Sequence, residues 1–294
     1  MTPPHPGRWL APAALIVGAC GGWGAAGSGC VVVEGPRPLP VELREASGVA
    51  PSLRTPGIYW THSDQKGAAE LWAVNERGAV LGRSTLDGVE VFDPEDLASA
   101  ACEEGSCLYL GDVGDNYAER DSLTVYRVVE PVPGAAARAT HLPVRLPDGP
   151  RDVEALFVLP GDQLFLVTKG REAPISVYRY PPPLRPDTLV MLEEVQQLSE
   201  TARVLPRQVT GAAAAPDGSV VVLRTYETLL VYRWDGSKLI PLPDGTVNLR
   251  SLREGQGEGV GVGADGTVAL TSEGGPARAE GSITLLRCRF GDTD

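Results

Sequence analysis

The sequence predicts an all-β fold: a five-bladed β-propeller of four-stranded antiparallel blades, closed by a strand from the amino terminus. Three observations predict it. A strand signature recurs five times at a near-constant period, and each recurrence sits among the apolar runs of short strands. The last unit stops before its fourth strand, while one apolar run, Cys30-Val31-Val32-Val33, precedes the first unit and belongs to none.

The signature strands are Leu71-Trp72-Ala73-Val74, Val125-Tyr126-Arg127-Val128, Val177-Tyr178-Arg179-Tyr180, Val231-Tyr232-Arg233-Trp234 and Leu285-Leu286-Arg287-Cys288. Their second positions fall at 72, 126, 178, 232 and 286, in steps of 54, 52, 54 and 54. Each is the third strand of a unit. Second strands precede them at Ile58-Tyr59-Trp60, Leu108-Tyr109-Leu110, Leu164-Phe165-Leu166, Val220-Val221-Val222 and Val268-Ala269-Leu270. First strands begin at Gly48-Val49, Asp96-Leu97, Ala155-Leu156, Gly211-Ala212 and Gly259-Val260, with turn signals such as Pro216-Asp217-Gly218 and Ala264-Asp265-Gly266 behind them. Fourth strands follow at Ala79 to Thr85, Thr140 to Leu146, Leu189 to Val195 and Leu239 to Val247. The fifth unit ends at Phe290, so the run at Cys30 is expected to supply its outer strand. A sixth blade would require one unit without the signature.

Composition agrees with one large β domain. The 294 residues are 43% hydrophobic and 22% charged, and 35 Gly with 26 Pro favour many turns over long helices. A formal charge of -12 excludes nucleic acid as a partner and disfavours anionic membrane surfaces, because both repel an acidic protein.

Residues 1–19 read as an export signal: Arg8 is followed by an apolar run too short to span a bilayer, then by Val17-Gly18-Ala19-Cys20. Small residues directly before a cysteine resemble a bacterial lipobox, making Cys20 the expected lipidation site and residues 20–29 a glycine-rich tether. The alternative is an ordinary secretory signal cut within Gly21 to Gly29. Either way residues 30–294 form an exported domain, periplasmic or secreted, touching membrane only through a lipid anchor. Removing Cys20 from the five cysteines leaves four for two disulfides in an oxidising compartment. Cys102 and Cys107 suit a staple across a turn, with a metal half-site as the rival reading, and ring closure would bring Cys30 to Cys288.

In such a ring, the loops leading into the innermost strands and those joining second to third strands open on one face. An equivalent column in the lead-in loops holds Ser47, Glu95, Glu154, Thr210 and Glu258. The second-to-third loops add His62, Asp64, Asp112, Lys169, Arg171, Arg224, Tyr226 and Glu273. Carboxylates drawn around one axis need compensation. Lys169, Arg171 and Arg224 are candidates to hold an anionic group, and Glu95, Asp112, Glu154 and Glu258 offer hard oxygen ligands for Ca²⁺ or Mg²⁺. The competing reading ties these residues to backbone amides of neighbouring blades. His62 is a base, a ligand or a hydrogen-bonding group, whereas His141 belongs to an outer strand. The chain has no Gly-x-Ser-x-Gly elbow, Walker loop or His-Glu-x-x-His.

The segments Gly111-Asp112-Val113-Gly114-Asp115-Asn116, Arg151-Asp152-Val153-Glu154-Ala155-Leu156, Arg224-Thr225-Tyr226 and Gly257-Glu258-Gly259 resemble those of secreted bacterial β-propeller proteins without an assigned activity. The lead-in motifs are similar, more loosely, to those of esterase-like phytase and SdiA-regulated propellers. The resemblance implies an exported propeller binding a small-molecule ligand, metal or protein partner on its acidic face; a closed ring protects its strand edges, so a monomer is expected. The alternative it implies is a Ca²⁺-dependent hydrolase of a phosphoester or lactone.

Overall fold

The computed structural model describes Met1, residues 29–275 and residues 280–290. The expected lipidation site Cys20, the expected signal of residues 1–19 and the expected tether as far as residue 28 lie outside the described residues, apart from Met1. Within them the chain is a ring of five antiparallel blades, with only two single-turn helices, at Val41–Leu43 and Arg250–Leu252.

Chain order follows the ring. After β1 (Cys30–Pro38), the first blade comprises β2 (Ala46–Pro51), β3 (Ile58–Ser63), β4 (Gly67–Asn75) and β5 (Val80–Val91). The second comprises β6 (Pro94–Cys102), β7 (Gly105–Asp112), β8 (Leu123–Val129) and β9 (Ala139–Arg145). The third comprises β10 (Val153–Leu159), β11 (Gln163–Thr168) and β12 (Ser176–Arg179); beyond it come β13 (Val190–Met191) and β14 (Glu193–Gln197). The fourth comprises β15 (Val209–Ala214), β16 (Val221–Thr225), β17 (Thr228–Trp234) and β18 (Leu239–Asn248). The fifth comprises β19 (Gln256–Val262), β20 (Thr267–Glu273) and β21 (Ser282–Cys288), with β1 as its outer strand.

The expected closure is observed. β1 runs antiparallel to β21 with Cys30 opposite Cys288, and those two cysteines form a disulfide across 258 residues of sequence. Cys102 and Cys107 form the second disulfide across the hairpin of β6 and β7.

One strand boundary differs from expectation. The run Leu189 to Val195 is not a single outer strand, because Val190 and Met191 pair parallel to Val144 and Arg145 of the second blade, and only β14 completes the third. Leu192 between them is buried with Val190 in the core between those blades, so the run's apolar residues are shared by two sheets.

The hydrophobic interior lies between blades, as five separate slabs. Trp60, Leu97, Leu108 and Val128 fill the slab between the first and second blades, while Phe157, Phe165 and Val221 fill that between the third and fourth. Each strand presents alternate residues to its two neighbours, which is why the inner strands are buried on both sides and carry few polar residues. Trp60 is fully buried and donates from Nε1 to Glu130 Oε1 at 3.1 Å, so its indole is satisfied; replacing it by Ala should cost about 3–5 kcal/mol. The five innermost strands β2, β6, β10, β15 and β19 touch in ring order around a narrow axis. Gly48 shows how close they come: a Cβ there would strike the backbone of Asp96 and Leu97.

Candidate functional site

The face that receives the lead-in loops is called the top. Each innermost strand is irregular at the same place, since register shifts against the second strand fall at Ala46/Val49, Pro94/Asp96, Val153/Ala155, Val209/Gly211 and Gln256-side Gly257/Val260. Those bulges skip the column Ser47, Glu95, Glu154, Thr210 and Glu258. A bulge re-aims its extra residue, so the column leaves the ladder at the mouth of the axis.

The column divides into two kinds of residue. Ser47 Oγ donates to Glu95 O at 2.5 Å, and Thr210 Oγ1 donates to Glu258 O at 3.0 Å, so both hydroxyls stitch adjacent blades together. The three glutamates do otherwise. Glu154 Oε1 lies 2.6 Å from Lys169 Nζ, and Glu258 Oε1 accepts from Gln256 Nε2 at 2.7 Å. Glu95 faces Gly114, where a Cβ would strike Glu95 Oε1 and Asp93 Oδ2; glycine keeps this part of the well open.

Burial dominates the electrostatics. It raises Glu154 to about 8, against the pull of Lys169 and with help from Asp152. Burial also lifts Glu95 and Glu258 well above the ordinary carboxyl range, and the charge of Glu154 adds to both shifts. Burial opposes the Lys169 ammonium, yet Glu154, Tyr226 and Asp152 together hold its pKa above the usual value. The Lys169 charge is felt at Glu95, Glu258, Glu273 and Asp93 as well, which marks it as the hub of the face. Burial, then the charges of Asp64 and Glu45, raises Glu273 to about 7. Asp64 rises to about 6, through burial and then the charges of Glu45 and Asp93. Burial and Glu258 raise Tyr226 to about 12.

Other expected residues are placed differently. Arg224 has zero exposure and spends Nη1 on Gly259 O at 2.7 Å and Thr271 O at 2.8 Å, with Nη2 2.5 Å from Glu254 Oε2. It joins the fourth blade to the fifth rather than facing a ligand. Asp112 accepts from the backbone N–H of Phe92 and Asp93 and pairs with Arg120 at 3.2 Å, so its carboxylate is already engaged. Arg171 meets Asp152 Oδ2 at 3.2 Å and Asn116 Oδ1 at 2.8 Å, above a cavity of about 150 Å³. Burial depresses His62 to about 4; its Nδ1 lies 3.0 Å from Ser63 O while Nε2 is buried without a partner. The neutral ring lines a 490 Å³ groove on the first blade together with Lys66, Trp72 and Arg83.

Asp96 is the residue that the sequence reading passed over. It is fully buried at the axis below the column; Oδ1 accepts from Leu97 N–H at 2.8 Å, and Oδ2 accepts from Leu156 and Ala212 N–H, both at 2.9 Å. One carboxylate thus ties three blades together. The signal lay in the next column, where Gly48, Ala155, Gly211 and Gly259 are small and Asp96 alone carries a long polar side chain.

Oxygens sharing one calcium at about 2.3–2.6 Å lie within about 5 Å of one another. Among the described residues, the only three potential ligands that close are Cys102, Glu104 and Cys107, with ligand atoms within 4.8 Å, and both sulfurs are in the disulfide. Glu95, Asp112, Glu154 and Glu258 are not gathered to that spacing. Their chemistry suits a hard cation; their placement would have to tighten around one.

No protein-family model matches the chain, and no curated protein is detectably similar to it. Similarity to solved structures is at the level of fold. A PQQ-bound aldose sugar dehydrogenase from Streptomyces coelicolor is similar at 14% identity with a TM-score of 0.50, over 88% of this chain and 98% of that one. The apo form of a soluble aldose sugar dehydrogenase from Escherichia coli gives 12% identity and a TM-score of 0.49, over 88% and 99% of the two chains. A gluconolactonase from Xanthomonas campestris gives 12% and 0.47, over 90% and 92%.

Proposed function

We propose that the chain is an exported propeller that binds its ligand through a cationic group seated in the acidic well of the top face. One observation carries this reading: a single ammonium, Lys169, serves Glu154 at 2.6 Å while Glu95, Glu258, Glu273 and Asp93 crowd around it with raised pKa values. The well therefore holds more acid than its own base neutralises, and protons make up the difference. An organic ammonium or guanidinium, or a divalent ion such as Ca²⁺, would displace those protons.

Cation binding must then release protons near neutrality, where Asp64, Glu273 and Glu154 titrate at about 6, 7 and 8. Calorimetry with CaCl₂, MgCl₂, putrescine and agmatine, run in two buffers of different ionisation enthalpy, tests this. Saturable binding with proton release, lost in Glu154→Gln, is expected. Absence of binding by all four probes removes the proposal.

A hydrolytic reading is favoured by one further observation: Glu154, raised to about 8, can gain or lose a proton near neutral pH beside an ammonium that keeps its own. Here Glu95, Glu154 and Glu258 would hold Ca²⁺, which would supply a polarised water for a phosphoester or lactone. Lys169 would have to leave Glu154. Metal analysis with phosphatase and lactonase assays on wild type and Glu154→Gln decides: turnover abolished by the substitution favours the hydrolase, and metal-free, inactive protein rejects it.

Export is supported by the two disulfides, and no described helix is long and apolar enough to cross a membrane. Lipid attachment at Cys20 is part of this proposal; Cys20→Ser should move the protein from the membrane fraction to the soluble one.

A further inference from the structure

The chain carries a net charge of -12, yet one cavity beside the well is lined by arginines. Three arginines, Arg120, Arg145 and Arg151, line a cavity of about 230 Å³ at the top outer edge of the second blade, where β8 begins, β9 ends and the loop toward β10 passes. Each guanidinium is anchored by the protein, Arg120 most fully, since its Nη2 also donates to Asp112 O at 3.2 Å. Arg120 Nη1 donates to Gly114 O at 2.7 Å and pairs with Asp112, Arg145 Nε donates to Asp121 O at 2.9 Å, and Arg151 Nη2 pairs with Asp148. Arg151 Nη1 is buried with no acceptor. Of the acids nearby, Asp112 and Asp148 are occupied by Arg120 and Arg151, and only Asp121 lines the cavity itself.

We propose that this cavity is an oxyanion site for a small phosphate monoester. The chemistry follows from the lining. Guanidinium N–H groups in a fixed fork match the oxygens of a phosphoryl group. Leu123 and Leu146 form an apolar wall, which excludes water and strengthens each charge-assisted hydrogen bond. A metal cation is repelled by three arginines. A polyanion such as nucleic acid would have to cross the acidic remainder of the surface, whereas a single small dianion fits inside. The cavity adjoins the acidic well, since Arg120 bonds Gly114 O and its charge is felt at Asp93, but its lining is basic and its ligand need not be the one bound in the well.

The test is calorimetry at low ionic strength with inorganic phosphate, glycerol 3-phosphate and phosphatidylglycerol vesicles. Wild type should bind both soluble probes saturably, with glycerol 3-phosphate equal or tighter. Arg145→Gln should weaken binding at least about tenfold, a loss of about 1.4 kcal/mol, because an exposed side chain is removed without disturbing the core. Glu200→Gln, an exposed acid beyond β14, should leave phosphate binding unchanged. No saturation by either soluble probe, unaltered affinity in Arg145→Gln, or binding of vesicles without binding of glycerol 3-phosphate would each overturn the proposal. Circular dichroism of Arg145→Gln identical to wild type guards against loss of fold as the cause.

Discussion

Lys169 Nζ lies 2.6 Å from Glu154 Oε1, and both side chains are buried at the mouth of the propeller axis. Removing one member of such a pair strands the other. Lys169→Met should destabilise the protein by about 3 kcal/mol at about pH 9, where loss of the ammonium leaves a buried Glu154 that must either hold its proton against the solvent pH or ionise unpaired, and by clearly less near pH 6, where it keeps its proton in either protein. Urea titrations at the two pH values check this; an equal loss at both would contradict it.

Glu273 and Asp64 have folded pKa values of about 7 and about 6, above their unfolded values near 4.5 and 3.8. A raised carboxyl means that the folded chain binds more protons than the unfolded one, so this contribution to stability is complete below the unfolded pKa and declines as pH rises through the folded one. Glu273→Gln is expected to raise stability at about pH 8 by about 1 kcal/mol, a figure discounted for partial solvent screening, and to flatten the fall between about pH 5 and 8. Thermal denaturation across that range measures it.

Asp96 accepts three backbone N–H groups belonging to three blades. Asp96→Ala leaves all three donors buried without a partner and is expected to cost about 3 kcal/mol or more, with Asp96→Asn milder because one oxygen remains. Denaturant midpoints of the two variants give the order directly.

The disulfides should differ in weight. Cys30–Cys288 closes 258 residues and Cys102–Cys107 closes 5, so on loop entropy alone the first constrains the unfolded chain by about 5 kcal/mol and the second by about 2. The double Ser variant of the first pair should therefore lose more stability than that of the second. Equal losses would show that strand pairing of β1 and β21, not the bond, sets the strength of closure.

Much of the architecture was legible because a blade is a local object. Spacing of the signature strands reports a repeated unit, and an outer strand missing at Phe290 together with a spare one at Cys30 reports closure. Less legible was the run from Leu189 to Val195, where residues two apart serve different sheets, a division set by tertiary packing and not by periodicity. The column at the bulges could be aligned from the lead-in motifs, but the direction of each side chain could not. Arg224 and Asp112 looked like groups available to a ligand; contacts from distant chain segments, Gly259, Thr271 and Glu254 for one and Phe92, Asp93 and Arg120 for the other, occupy them. Asp96 was hidden by its neighbour Glu95, since adjacent acids in a lead-in motif look interchangeable until the axis is built.

Strand direction at the seam fixes which pole of the ring carries the closure. β21 descends from the top face and β1 climbs back beside it, so Cys30, opposite Cys288, starts at the underside, and Gly29 O still accepts from Arg289 N–H at 3.1 Å there. The seam and the carboxylate-lined bowl thus occupy opposite poles of the ring, so a change at the Cys30–Cys288 closure can be made without touching the bowl.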